Sequence, residues 1–358
     1  MTLQSIALYA IRAIGGFSLA RALTRRRLRI LCYHGFSVRD EFRILPVMFM
    51  RAQTFERRMK ILQRRRIPVI PLAEAVERLE RREIGNAETV ITLDDGWRSN
   101  LTLGLPILEK YGYSACIYVA TEHLTAGCEA FNVALNYMIR TSESETLNLS
   151  GVHESVDGSY DLRANPQEAL EKLIRATERI LSLRERQLLL RPIAAALQVD
   201  YDDVFRDGRF TLLNANEIRD LAARGVEIEL HTHTHRLSDD RFDAVSWELE
   251  QNSLSLKSIT GKEPRHFCYP SGIVRPNHPG WLRRLKIKSA TTCEPGLNDH
   301  RVSPMVLRRY LDSEETPDIV FEAEICGVRE LVRGLRTQAL RYLPGLRSND
   351  LHSDKSRG

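Results

Sequence analysis

The chain has 358 residues, 43% of them hydrophobic, and a net charge of only +5. It can bury a large core, and it lacks the charge bias of a disordered chain. Its basic residues are spread along the sequence with no basic motif interleaved with aromatics, so no nucleic-acid partner is expected. Six cysteines (Cys32, Cys116, Cys128, Cys268, Cys293, Cys326) show no CxxC spacing, and several fall in strand-like runs. They predict free thiols acting as small apolar residues in a reducing, cytoplasmic compartment.

Residues 1–27 read as an amphipathic helix. Leu3, Ile6, Ala10, Ile14 and Phe17 fall near one face, and Arg21, Arg25, Arg26, Arg27 and Arg29 follow closely. That pattern fits a peripheral membrane contact and a plain packing helix equally well. Ala20-Arg21-Ala22 has the small-x-small look of a signal-peptidase site, but no positive charge precedes the apolar stretch. Arg12 interrupts it, whereas a membrane span wants ~20 uninterrupted apolar residues.

Strand-like runs follow in order: Leu28 to His34, Ile67 to Leu72, Thr89 to Asp95, Ser114 to Ala120, Val226 to His231, His266 to Pro270 and Val306 to Leu311. Helical segments separate them, which predicts a parallel α/β barrel over residues 28–315. An insert at about 121–210 interrupts the pattern, with a polar hairpin or loop at Ser150 to Tyr160 and helical spacing from Gln167 to Leu190. Asn214-Ala215-Asn216-Glu217 caps a helix ending at Arg224-Gly225, which delivers the chain into the strand before His231. Residues 316–358 read as one helix from Thr316 through Arg341 and a polar tail from Ser348, expected to be disordered.

Three strand ends carry the chemistry. Ile91-Thr92-Leu93-Asp94-Asp95-Gly96-Trp97 ends in two adjacent carboxylates, and Val226 to Leu230 leads into His231-Thr232-His233-Thr234-His235. One carboxylate and two imidazoles suit a hydrolytic metal centre that keeps coordination positions open, while the neighbouring carboxylate serves as general base. His231 and His235, four apart, would face one point if the chain turned helically after the strand. Zinc fits such a set, as do cobalt and nickel. The third segment, Arg265-His266-Phe267-Cys268-Tyr269-Pro270-Ser271-Gly272, turns from a short buried strand into a loop whose amides can hold an oxyanion.

These segments, in this order, resemble the polysaccharide deacetylase (NodB homology) family of carbohydrate esterases, over roughly residues 28 to 312. Asp94-Asp95-Gly96 stands at the family's T-F-D-D-G motif, His231-Thr232-x-x-His235 at H-S/T-x-x-H, and Phe267 to Gly272 at a variant of the third motif. The resemblance implies an irregular (β/α) barrel and a de-N-acetylase of an N-acetylated amino sugar in a glycan. It implies Asp94 as base, a metal-bound water as nucleophile, Asp95, His231 and His235 as ligands of one divalent ion, and Ser271, beside Tyr269, at the oxyanion. Thr232 would orient a turn, and His233 would be a filler. Two departures stand out. Cys268 occupies the position where many members have an Arg paired with the base, leaving Arg265 or an arginine of Val306-Leu307-Arg308-Arg309-Tyr310, Arg308 among them, to substitute. The late L-x-H motif is absent, and Arg29-Ile30-Leu31-Cys32-Tyr33-His34-Gly35 resembles the displaced motif of the branch acting on poly-N-acetylglucosamine. His34 is then the expected general acid.

Two other classes fit parts of the chain. His231-Thr232-His233-Thr234 through Ser238-Asp239 also resembles the opening of PHP phosphoesterases, which bind several metals. An inactive carbohydrate-binding relative would explain Cys268 and the missing late histidine.

Overall fold

The structure, a computed structural model, describes residues 2–126, 129–238 and 240–342. Its main sheet contains β1 (Arg29–Tyr33), β2 (Thr89–Leu93), β3 (Cys116–Val119), β4 (Glu227–Leu230), β5 (His266–Cys268), β6 (Ser289–Thr291) and β7 (Tyr310–Leu311). The order is β6-β5-β4-β3-β2-β1-β7, all parallel. The sheet curls, and the segment entering β7 joins its two edges. Leu307 donates to the Ala290 carbonyl at 2.8 Å and accepts from Thr292 at 2.8 Å, and three residues later Tyr310 pairs with Leu31 of β1. First and last strands are therefore neighbours, as the barrel expectation required.

Two strand expectations change. Ile67 to Leu72 makes only an isolated bridge, Val69 to Thr89, because Pro68 and Pro71 each lack the N–H that a ladder needs. Ser289–Thr291 forms a strand that its Ser-Ala-Thr sequence, short and weakly apolar, did not announce.

Strand alternation divides the core into two layers. Leu31, Tyr33, Ile91, Leu93, Ile117, Val119, Leu230, Phe267 and Tyr269 pack in the core shared with the surrounding helices. Ile30, Val90, Cys116, Tyr118, Cys268 and Leu307 belong to a separate interior cluster, which the Leu72–Glu80 helix joins.

The insert has a core of its own. Helices Phe131–Thr141, Pro166–Ile180 and Leu183–Ala196 enclose Leu135, Leu173, Leu190 and Ile193, and the cluster reaches the barrel at Phe49 and Trp97. The expected hairpin is present, pairing Thr146–Asn148 with Ser159–Asp161. Asn165 caps the second helix, and a Ser182/Glu185 capping box starts the third. The expected capping box at Asn214 and Glu217 also forms.

Both terminal helices are broken. The N-terminal one is a pair, Leu3–Ala13 and Gly16–Thr24, bent by 82°. The C-terminal one divides into Asp318–Ile325 and Val328–Tyr342 at Gly327, whose φ is +79°, and a Cβ there would lie 2.3 Å from Thr24 Oγ1. The tail from Ser348 lies outside the described residues.

Candidate metal centre

His34, Asp94, Asp95 and His231 all follow directly on the C-terminal ends of parallel strands, so one end of the barrel collects them. Asp95 turns out of the strand with φ +72°, followed by Gly96 at +82°, and this separates the two carboxylates. Asp95 Oδ1 lies 3.2 Å from His231 Nε2 and 3.2 Å from His235 Nε2. Its Oδ2 accepts from Trp97 Nε1 at 3.1 Å. His231 Nδ1 is 2.9 Å from the Cys268 carbonyl, to which only a protonated nitrogen can donate, so Nε2 is the ligand atom in the neutral ring. The three donor atoms lie within 4.8 Å of one another, with His231 buried and His235 exposed to the cleft. This donor set fits one divalent ion with open positions.

The chain between the histidines is not helical, contrary to expectation. Thr232 (φ +65°) and His235 (φ +60°) take left-handed conformations that swing His235 back to Asp95. Such strain persists only where the surroundings fix it. The Phe242–Thr260 helix does so: Glu248 Oε2 accepts from the amides of His233 and Thr234 at 2.8 Å each, and Asn252 Oδ1 accepts from the His231 amide at 2.8 Å. Sequence reasoning missed both residues. His233 points elsewhere, with Nδ1 3.0 Å from Thr121 Oγ1 and its ring edge-on to Trp247.

Asp94 is buried beside this triad. Burial alone would raise its carboxyl, but Arg309 brings it down to about 2. The pairing is bidentate, Nη1 to Oδ1 and Nη2 to Oδ2, both at 2.7 Å. Arg309, itself fully buried, also donates to the Thr292 carbonyl, Thr92 Oγ1 and Cys268 Sγ. The thiols of Cys32 and Cys268 lie 3.5 and 3.4 Å from Asp94 Oδ2, and burial pushes both well above the usual thiol range, so they remain protonated donors.

The cation on Asp94 is thus Arg309, one of the two arginines of the 306–310 segment expected to substitute; the choice of Arg308, or of Arg265, is corrected. Leu307 faces the interior, so Arg309 does too, while Arg308 falls on the opposite face beside Gly296. Arg265 is exposed and offers its backbone amide to Glu229. Tyr269 is a second correction: its amide donates to the Thr291 carbonyl and its hydroxyl to the Met305 carbonyl, so neither reaches the site. Ser271 is exposed at the exit of β5 with φ +54°. One nitrogen of His34 lies within 4.8 Å of both an Asp94 oxygen and Cys32 Sγ, and its buried Nδ1 has no hydrogen-bond partner.

A cleft opens beside Asp95 and His235. The insert supplies much of its wall, including Phe131, Asn132, Leu183 and Arg186. Arg186 is buried and faces Glu122 and Glu178 at 3.5 and 3.8 Å.

Residues 201–289 match the family model described as polysaccharide deacetylase. Among solved structures, the Streptococcus pyogenes deacetylase PplD in complex with acetate superposes with a TM-score of 0.56 at 14% identity, covering 84% of this chain and 98% of that one. IcaB from Ammonifex degensii gives 0.52 at 16% identity, covering 84% and 97%. BC0361, a polysaccharide deacetylase from Bacillus cereus, gives 0.53 at 16%, covering 84% and 69%. These likenesses establish the irregular parallel barrel as the fold. No curated protein matches the chain.

Proposed function

We propose that this chain belongs to the polysaccharide deacetylase family and is a metal-dependent de-N-acetylase acting on an N-acetylated amino sugar within a glycan. The observation that carries the reading is a buried, arginine-clamped carboxylate beside a separate Asp-His-His donor set. That division of labour suits hydrolysis of an amide, and the bidentate pairing of Arg309 with Asp94 speaks against an inactive binding relative. A divalent ion on Asp95, His231 and His235, with zinc the best fit, would polarise the acetyl carbonyl and activate water.

The protein's own groups do the rest. Asp94, ionised at neutral pH by its pairing with Arg309, takes a proton from water as it attacks. The backbone amide of Ser271 supports the developing oxyanion at the strand exit. His34, across from Asp94, protonates the departing amine so that the C–N bond breaks, leaving acetate and a free amino sugar. The insert wall orients the neighbouring sugar.

The test is acetate release from N-acetylated glycans together with elemental analysis. Asp94→Asn should retain metal and lose ~10²- to 10⁴-fold in turnover. His235→Ala should lose metal with the fold intact, and His233→Ala should keep it. Full metal in His235→Ala, or normal turnover in Asp94→Asn, would overturn the assignment.

A further inference from the structure

The N-terminal helices present their apolar side to solvent. On Leu3–Ala13, Leu3, Ile6, Ala7 and Ala10 lie on one exposed face that Ile14 extends, and Leu3 and Ile14 are 87% and 85% exposed. On other faces Ser5 and Leu8 are buried and Arg12 reaches Glu322 at 3.1 Å. The Gly16–Thr24 helix repeats the arrangement, with Leu19, Ala22 and Leu23 outward and Phe17, Ala20 and Thr24 buried. The Val328–Tyr342 helix packs against it and adds exposed Val332 and Leu335. A contiguous surface of this kind marks an interaction site.

Charge selects the occupant. The first acidic residue of the chain is Asp40, whereas Arg12, Arg21, Arg25, Arg26 and Arg27 all fall within the first 27 residues. Arg12 and Arg27 are paired with Glu322 and Glu330, while Arg25 and Arg26 are exposed at the end of the apolar stretch. A second copy of the chain would bring Arg25 and Arg26 against their own kind, while anionic headgroups complement them. No single helix is long and apolar enough to cross a membrane, and the inward side chains hold both helices on the protein.

We propose that this face docks the protein, in the plane of the interface, on an anionic lipid bilayer. The face lies at the base of the barrel. Arg25 accepts from the Ala87 amide just before β2, and Arg21 donates to the Arg66 carbonyl at the end of the Ala52–Arg64 helix. The catalytic groups sit at the opposite strand ends, one strand length or about 17 Å away. A docked molecule holds its cleft toward the aqueous side.

The experiment is flotation of the full chain with phosphatidylcholine vesicles, with and without phosphatidylglycerol, alongside light scattering without lipid. Binding should require phosphatidylglycerol and fall with added salt. Arg25→Gln with Arg26→Gln should weaken it about 30-fold, the effect of two cations near an anionic surface. Ile14→Asp with Leu19→Asp should abolish it while acetate release from a soluble glycan stays unchanged. Failure to float with phosphatidylglycerol vesicles, or undiminished flotation of the Asp variant, would overturn the proposal. So would a dimer in light scattering that the Asp variant dissolves while vesicles bind neither protein, which assigns the face to a second copy.

Discussion

Asp94 owes its charge to a side chain 215 positions further along. Replacing that cation by Arg309→Met leaves a buried carboxylate facing two protonated thiols, and breaking such a pair commonly costs about 3–5 kcal/mol. The sign of the pH effect follows from Asp94. In the intact protein its folded value, about 2, lies below the usual 3.8, so the pair's stabilisation is present above 3.8 and is lost as pH falls through 2. Without Arg309, burial raises the group instead. The stability gap between variant and parent should therefore narrow toward pH 2, and the acid limb of kcat/KM should move to higher pH. An unmoved acid limb would show that Asp94 is not the base. His34→Gln tests the other proton: kcat should fall strongly and the alkaline limb flatten with metal retained, whereas a loss below about threefold would place the acid elsewhere. The motif residues were legible because each ends an apolar strand at a turn. Arg308 and Tyr269 were misplaced for one reason, strand parity: with Leu307 and Cys268 inside, Arg309 also points in, and Arg308 and Tyr269 point away.

The loop carrying the histidines is shaped by an element that contributes no metal ligand. Glu248 and Asn252, four apart on the Phe242–Thr260 helix, face inward with Val245, Leu249 and Leu256. Two polar groups inside an apolar stripe were a readable signal of a buried task, whereas the left-handed turns they enforce at Thr232 and His235 have no sequence mark, since neither is glycine. Glu248→Gln and Asn252→Ala should each lower metal affinity about 10- to 100-fold in a chelator competition while the fold stays intact. Unchanged affinity in both would mean that the strand and Asp95 alone orient the imidazoles. The insert was legible as an interruption with helical spacing. That Phe131 and Arg186 line the cleft was not, because long-range packing chose it.

At the scale of the molecule, the barrel is closed by residues 307–311, which tie β6 to β1 and bring the counter-charge with them. Alternating strand and helix patterns made the barrel legible. Closure through a segment holding a two-residue strand was not, because its pairing is set by the far ends of the chain. This arrangement also orders assembly in time. The interior acid is made first, and its only bidentate partner among the described residues follows 215 positions later, so a nascent chain faces an uncompensated charge at the centre of its unfinished sheet. The insert can consolidate its local core meanwhile, but the barrel must wait. High sequence separation of this kind slows folding and prolongs exposure of open strand edges, so the feature that sharpens the active centre also makes the newly made protein dependent on its last strand.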